Sequence, residues 1–195
     1  MKNKAIFLDR DGTLNEDAGY LGDPKELVLF PGVAEALSLL KNKYDFKLFV
    51  VSNQSGIARG LITEQDVIAV NKEINKTLSF YNVQIDAFYY CPFHPDFNSE
   101  KECECRKPSP KMILDCAKEN NIDLSISYLI GDTIADIESG KNAGVKSILV
   151  KTGRGVESIS MLQKGNNFPS FVAENLTEAC NYIIKDSFGD TISAK

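Results

Sequence analysis

The sequence lacks the features of a nucleic-acid-binding, membrane or repeat protein. It has 22 Lys and Arg against 27 Asp and Glu, giving a formal charge of -5 and a pI near 5.0. Nucleic-acid binders concentrate basic residues on one face, so we expect no nucleic-acid partner, and any phosphate-bearing ligand must be bound locally. The first apolar run is too short for a signal sequence or a membrane span. We therefore expect a cytoplasmic protein with no membrane partner.

The composition is that of a packed domain. The 195 residues are 43% hydrophobic and 25% charged, with a mean hydropathy of -0.18, as in ordinary globular proteins. We expect one domain over residues 1–187, a frayed tail over 188–195 and a monomer.

Short β-rich runs alternate with longer helical ones, which predicts an α/β fold with a mainly parallel sheet. The predicted strands are Lys4–Asp9, Lys47–Asn53, Ile85–Cys91, Tyr128–Asp132 and Ser147–Lys151. The predicted helices lie within 31–43, 63–82, 110–121 and 135–144. Thr63 followed by Asp66 indicates an N-cap for the second helix. Two long connections, Gly12–Phe30 and Pro92–Pro110, are predicted to be functional or to be stabilised by something other than a core, because loops of this length are uncommon in compact domains.

Asp9 and Asp11 follow the first predicted strand, in the stretch FLDRDGTLN. Side chains two apart on an extended backbone project to the same side, so both acids are predicted to face one space while Arg10 points elsewhere. Two ionised carboxylates there repel unless a cation or a shared proton intervenes, and oxygen ligands suit Mg²⁺. Asp9 would then attack phosphorus while Asp11 acts as acid and base. The alternative is an ordinary turn at Asp11 and Gly12.

Polar side chains also follow the second predicted strand. Ser52 offers a hydroxyl donor at its end, and Asn53, Gln54 and Ser55 add neutral donors for phosphate or sugar oxygens. A polar turn ending at Gly56 is the alternative.

Charged residues follow the next two strands. Lys107 would supply a point charge for a phosphoryl group and Arg106 a planar fork for a second anion or for hydroxyls. Asp132 follows a strand as Asp9 does and could complete a Mg²⁺ site, with Asp136 bracing it one helical turn further. The alternatives are a solvated surface pair and a helix N-cap at Asp132 or Thr133.

Taken together, the four segments resemble the haloacid dehalogenase superfamily of phosphohydrolases. FLDRDGTLNED, NQSGIARG, the cysteine-rich loop and CRKP are similar to the D-glycero-D-manno-heptose 1,7-bisphosphate phosphatases and to the related histidinol-phosphate phosphatases. The resemblance implies a Rossmann-like, three-layer α/β/α fold without a large cap domain.

The resemblance also implies roles for individual residues. Asp9 is expected to be the nucleophile and Asp11 the acid and base. Asp9, Asp132 and the backbone carbonyl of Asp11 are expected to bind Mg²⁺, while Ser52 and Lys107 hold the phosphoryl group. The expected substrate contacts are Asp17, Tyr20, Asn53, Gln54, Ser55, Arg106 and Thr133; many heptose enzymes have lysine at the position of Thr133.

The cysteine-rich loop CPFHPDFNSEKECEC predicts a zinc site. Cys91, His94, Cys103 and Cys105 form a reasonable tetrahedral set, and a structural Zn²⁺ would order a loop that has no core of its own. The resembling families have histidine at the position of Phe93. An apo loop with free thiols is the alternative, and Cys116 and Cys180 are expected in the core.

Hydrolysis of a small sugar phosphate, with heptose 1,7-bisphosphate giving heptose 1-phosphate, is the expected activity because NQSGIARG resembles the heptose enzymes more. The alternatives are a histidinol-phosphate phosphatase, a phosphotransferase or mutase, and a catalytically silent, zinc-organised binding module.

Overall fold

A computed structural model describes residues 2–162 and 168–189. Its centre is a six-stranded sheet in the order β3-β2-β1-β4-β5-β6, and all neighbouring strands are parallel. The strands are β1 (Ala5–Leu8), β2 (Lys47–Asn53), β3 (Ala87–Cys91), β4 (Tyr128–Gly131), β5 (Lys146–Val150) and β6 (Phe171–Ala173). Parallel neighbours require long crossovers, and helices provide them.

Helices cover both faces of the sheet. They are α1 (Val33–Asn42), α2 (Glu64–Ser79), α3 (Lys111–Glu119), α4 (Ile134–Ala143), α5 (Gly155–Leu162) and α6 (Leu176–Phe188). Because side chains alternate along a strand, Ile6 and Leu8 of β1 pack with α1, α2 and α6, whereas Ala5 and Phe7 pack with α3 and α4 on the opposite face. Helix α5 packs with α4 against Leu149 of β5. The predicted three-layer α/β/α fold is therefore confirmed.

The strand register places the functional segments at one edge of the sheet. Leu8, the last residue of β1, pairs with Val50 on one side and with Ile130 on the other. Strand β4 therefore ends one residue beyond β1, and β2 ends three residues beyond it, at the same edge. The chain order reverses at β1, whose neighbours β2 and β4 lie on opposite sides. Open α/β sheets bind ligands in the crevice at such a switch point, outside the carboxyl ends of the strands.

The structure contains the five predicted strands and four predicted helices, with ends that differ by at most three residues. The Thr63–Asp66 capping box at the start of α2 is present. Three elements were not predicted: α5, β6 and α6. Two of them are short, with three residues in β6 and eight in α5, so each shows few repeats of the hydrophobic pattern.

Both long connections contain little regular structure. The first has one 3₁₀ turn, Pro24–Glu26, and the second has Glu102–Cys105. Helix α6 reaches Phe188, and the rest of the predicted frayed tail, residues 190–195, lies outside the described residues. Within the described ranges, no helix has the length and apolar character needed to cross a bilayer.

Candidate active site

Three buried carboxylates surround one buried ammonium at the carboxyl edge of the sheet. Asp9 follows β1 and Asp132 follows β4, while Asp136 lies in the first turn of α4. Lys107, from the loop after β3, donates to Asp9 Oδ1 at 2.6 Å and to Asp136 Oδ1 at 2.5 Å. Its third bond is to the carbonyl of Val51 at 2.8 Å. The structure thus brings together acids and a lysine that the sequence distributes over 128 positions.

The cluster contains more negative than positive charge. Burial raises the pKa of Asp9 well above its usual range, with Lys107 acting in the opposite direction. Burial and the neighbouring Asp136 raise the pKa of Asp132 to about 6. Burial by itself would lower the pKa of Lys107, but Asp136 and Asp9 outweigh it and raise that pKa above its usual range. An additional cation would therefore be stabilised here.

Asp132 is held by a loop that the sequence analysis did not identify. The loop after β5 places Gly153 against Gly12, and a Cβ on either glycine would overlap the Asp132 carboxylate. The backbone amide of Arg154 donates to Asp132 Oδ2 at 2.7 Å, and Thr152 Oγ1 donates to the carbonyl of Gly12 at 2.7 Å. The available signal was the pair of glycines in KTGRG directly after a predicted strand.

Asp11 does not join the other acids. Its carboxylate accepts bonds from Arg10 Nε at 3.0 Å and Nη2 at 2.8 Å, from Asn15 Nδ2 at 3.0 Å and from Gln54 Nε2 at 2.9 Å. The prediction that Arg10 points away from the acids is therefore wrong. Its side chain turns back onto Asp11 because a buried guanidinium requires a counter-charge.

The polar residues after β2 are bonded to the protein itself. Asn53 donates to the backbone carbonyl of Lys107 at 3.2 Å and accepts from its amide at 3.0 Å, so it fixes the lysine backbone. Gln54 is 4% exposed and donates to Ser52 Oγ at 2.8 Å. Both residues line the site, but these side-chain amides already have protein partners.

A cavity of about 410 Å³ opens over the cluster. Its lining includes the predicted residues Asp9, Asp11, Asp17, Tyr20, Ser52, Asn53, Gln54, Ser55, Arg106, Lys107, Asp132 and Thr133. Arg154 also lines it and was not predicted. Thr133 Oγ1 bonds Asp136 Oδ2 at 2.5 Å and caps α4, so its helix-capping alternative is correct. A larger cavity, about 530 Å³ between α2 and β3, has no acid in its lining.

The structure does not support the predicted zinc site. Cys91 and Cys105, two of the four predicted ligands, are joined in a disulfide, while Cys103 is free. Among the described residues, the acids, cysteines and histidines that lie close enough together to hold a metal ion are Asp9, Asp132 and Asp136. Cys116 and Cys180 are buried, as predicted.

The position of His94 gives a physical reason for this correction. Its Nε2 lies 3.1 Å from Arg59 Nη2, and its Nδ1 accepts from the amide of Asp96 at 3.2 Å. Phe93, at the position where the resembling families have histidine, instead packs against the apolar cluster beneath α3. Both imidazole nitrogens of His94 therefore already have partners within the protein, and the ring does not join the cysteines in a set of four metal ligands.

The α/β/α fold, with Asp9 after its central strand, Asp11 two residues on, and Lys107 and Asp132 at the same edge, defines a hydrolase of the haloacid dehalogenase type. The family model described as HAD-hydrolase-like matches residues 104–179. The resemblance stated from the motifs is thus confirmed at the level of the superfamily.

Relatives define the family more narrowly. The chain is 40% identical over 185 residues to a D-glycero-D-manno-heptose-1,7-bisphosphate 7-phosphatase of Chlorobaculum tepidum, covering 90% of this chain and 92% of the relative. A Pasteurella multocida enzyme, D-glycero-beta-D-manno-heptose-1,7-bisphosphate 7-phosphatase, is 39% identical, covering 90% and 94%. The chain belongs to this heptose-bisphosphate phosphatase family.

A solved structure agrees with this assignment. The D,D-heptose 1,7-bisphosphate phosphatase of B. bronchiseptica, crystallised with magnesium and phosphate, superposes with a TM-score of 0.83 at 31% identity. The match covers 94% of this chain and 99% of that one, so the fold is shared over nearly its whole length.

Proposed function

We propose that the protein is a Mg²⁺-dependent phosphatase that removes the 7-phosphate of D-glycero-D-manno-heptose 1,7-bisphosphate. The observation that carries the proposal is the buried cluster in which Lys107 bridges Asp9 and Asp136 beside Asp132. The relatives named above support the choice of substrate. The cytoplasmic location and the monomeric state stay predictions from the sequence.

Each residue of the cluster has a role in the proposed reaction. Lys107 favours the ionised form of Asp9 and offers positive charge to the phosphoryl oxygens. Asp9 attacks phosphorus, and the bond between phosphorus and the sugar oxygen breaks as Asp11 gives that oxygen a proton. Asp11 then takes a proton from the water that hydrolyses the aspartyl phosphate. Ser52 lies at the end of β2 to donate to a phosphoryl oxygen.

The residues present fit a magnesium ion. Asp132 Oδ1 is buried without a hydrogen-bond partner, and the surplus negative charge described above favours a divalent cation. Asp9, Asp132 and the backbone carbonyl of Asp11 would hold the ion; Asp136 is already bonded to Lys107 and Thr133. When bound, Mg²⁺ supplies positive charge to the oxygens of the transferring phosphoryl group.

A bisphosphate needs a second positive group in the cavity. Thr133 offers no charge, and its hydroxyl is bonded to Asp136. Arg106 lines the cavity and donates to the carbonyl of Phe93 at 3.3 Å, which orients its guanidinium on the side of the cysteine-rich loop. We assign the contact with the 1-phosphate to Arg106, whose planar fork matches phosphate oxygens.

Phosphate release from purified protein tests the proposal. Heptose 1,7-bisphosphate, histidinol phosphate and a set of hexose phosphates are compared with Mg²⁺ and with a chelator, and ³¹P NMR identifies the product. We expect one equivalent of phosphate, heptose 1-phosphate as product, and no turnover by Asp9→Asn or in chelator.

Other results would contradict the proposal in separate ways. A much higher kcat/KM for histidinol phosphate would assign the protein to the related phosphatases. Unchanged rates in the Asp9→Asn variant would exclude covalent catalysis by Asp9. Absence of turnover on every substrate would indicate a silent binding module.

A further inference from the structure

Arg10 is a buried charge that the proposed reaction does not use. Its side chain is 1% exposed and is the largest among the fully buried side chains of the described residues. A guanidinium stays protonated in proteins, so its burial must be matched by a counter-charge. That counter-charge is Asp11, whose side chain is 20% exposed.

The contacts of Arg10 restrict Asp11 to one orientation. Nε donates to Asp11 Oδ1 at 3.0 Å and Nη2 donates to Oδ2 at 2.8 Å, which is the two-pronged geometry that fixes a carboxylate plane. Asn15 and Gln54 each add one donor, to Oδ1 and Oδ2 respectively. Asp11 nevertheless lines the cavity, so these contacts hold a side chain that stays partly exposed to it.

Arg10 also determines how the amide of Gln54 is turned. Because a guanidinium has donors only, it bonds Gln54 Oε1, with Nη2 at 3.0 Å. The Nε2 group must then face the opposite way, where it donates to Asp11 Oδ2 and to Ser52 Oγ. Since the Ser52 oxygen accepts this bond, the hydroxyl hydrogen is free to donate to a phosphoryl oxygen in the cavity.

Helix α2 holds the far end of the guanidinium. Asn71, 8% exposed and on the buried face of α2, has its Oδ1 3.5 Å from Arg10 Nη1. The guanidinium is therefore bonded on three sides, by Asp11, Gln54 and Asn71. Such fixed geometry is required of the groups that support a catalytic side chain.

We propose that Arg10 is a positioning residue that orients Asp11 for proton transfer to the leaving group and, through Gln54, orients Ser52. This inference rests on the proposed function, in which Asp11 donates the proton. For this step Asp11 takes up a proton, which replaces one of the four donors to its carboxylate. As the Asp9–phosphorus bond forms and the phosphorus–sugar oxygen bond breaks, that proton moves to the sugar oxygen. With Arg10 removed, Asp11 would sample other rotamers and reach the leaving oxygen less often.

Substrates with different leaving groups separate positioning from stability. A sugar alkoxide needs a proton to depart, whereas p-nitrophenolate departs without one. Because kcat/KM covers the steps up to loss of the leaving group, it is measured for heptose 1,7-bisphosphate and for p-nitrophenyl phosphate. The proteins are wild type, Arg10→Met, Arg10→Lys and Asp11→Asn, with Arg59→Met as the matched arginine control.

Arg10→Met is expected to lose at least tenfold more activity on the bisphosphate than on the aryl phosphate, following the pattern of Asp11→Asn. General acids contribute about 10²–10⁴-fold to the rate. The selective loss in Arg10→Met acts through Asp11, so it should not exceed the selective loss measured for Asp11→Asn. Arg10→Lys keeps the charge but not the fork and is expected to show the same selective loss. Arg59→Met should change both rates by the same factor.

Three results would overturn the inference. They are equal losses on both substrates in folded Arg10→Met, full activity of Arg10→Lys on the bisphosphate, and no leaving-group selectivity in Asp11→Asn. Circular dichroism and aryl phosphate turnover report folding independently of proton donation. Failure of the proposed substrate would instead appear in the wild type, and the comparison is then made with an alkyl phosphate that the wild type hydrolyses.

Discussion

Asp9 and Asp11 lie two residues apart, and each carboxylate has a cation of its own. Asp9 is 2.6 Å from Lys107 Nζ, and Asp11 is 2.8 Å from Arg10 Nη2. The repulsion expected from the motif is therefore relieved by two separate cations, one adjacent in sequence and the other 98 residues along the chain. The difference in partners also separates their roles, since only Asp9 shares the cluster with the other acids.

The raised pKa of Asp132 predicts that the metal-free protein loses folding stability as the pH rises. A carboxyl whose folded pKa is about 6 rather than 3.8 contributes stability that is complete below pH 3.8 and is lost as the pH rises through 6. Asp132→Asn avoids this loss. We expect its advantage in unfolding free energy over wild type to grow by about 2 kcal/mol between pH 4.5 and 7.

Urea unfolding of both proteins in chelator, across that pH range, measures the difference. The control is Asp115→Asn, which changes a half-exposed carboxylate in a surface ion pair and should give a difference that varies little with pH. A constant offset between Asp132→Asn and wild type would show that burial does not raise this pKa.

Among the elements, the loop between β5 and α5 makes contacts in the active site that the sequence motifs do not indicate. It packs Gly153 against Gly12 and donates the Arg154 amide to Asp132. A close approach of two backbones around a carboxylate is possible only where no Cβ intervenes. The loop therefore determines which way the Asp132 carboxylate faces, although none of its side chains needs to touch the metal.

Gly153→Ala should weaken magnesium activation. The added Cβ would overlap the Asp132 carboxylate and the backbone of Gly12, which displaces the carboxylate proposed to bind the metal. We expect the Mg²⁺ concentration for half-maximal activity to rise at least tenfold, on the order of 1.4 kcal/mol of binding free energy.

Gly144→Ala is the matched control, because its φ of 81° is also positive but no atom lies within 4 Å of the added Cβ. Both variants carry backbone strain of about 1–2 kcal/mol, visible as a lower Tm. If Gly144→Ala weakens magnesium activation equally, strain rather than displacement of Asp132 is the cause.

On the scale of the whole molecule, an acidic protein brings three cations to the edge of the sheet where its buried acids lie. The formal charge is -5, yet Arg106, Lys107 and Arg154 all line the cavity. Their elements meet there because parallel strands end at the same edge. The positions of these individual cations, rather than the net charge of the protein, therefore determine where an anion can bind.

Magnesium should stabilise the whole fold by binding the native state alone. At a free Mg²⁺ concentration about 100 times its Kd, the gain is about 2.7 kcal/mol, which in a domain of this size raises Tm by about 5–10 °C. Differential scanning calorimetry at pH 7 measures the shift, with NaCl at equal ionic strength as the control. Asp132→Asn should show almost none of it, and an equal shift in that variant would mean that the ion binds elsewhere.

Much of the fold could be predicted because hydrophobic period and strand-end polarity are local properties. The predictions for β1 and α2 succeeded for that reason. The predictions for Arg10 and the zinc site were wrong because the direction of a side chain depends on the residues that the fold packs around it. Asn71 and Gln54 receive the guanidinium of Arg10, while the apolar cluster takes Phe93 and leaves His94 beside Arg59.

Residue order was sufficient to predict the alternation of strands and helices, the positions of Asp9 and Asp132 at strand ends and that of Lys107 in the loop after the third strand. The folded structure was needed to show that Lys107 bridges two acids, that Gly153 packs on Asp132 and that Arg10 donates two hydrogen bonds to Asp11. Those contacts join segments separated along the chain or depend on a rotamer. They form only when the parallel sheet brings the loop ends together and excludes water from the charges between them.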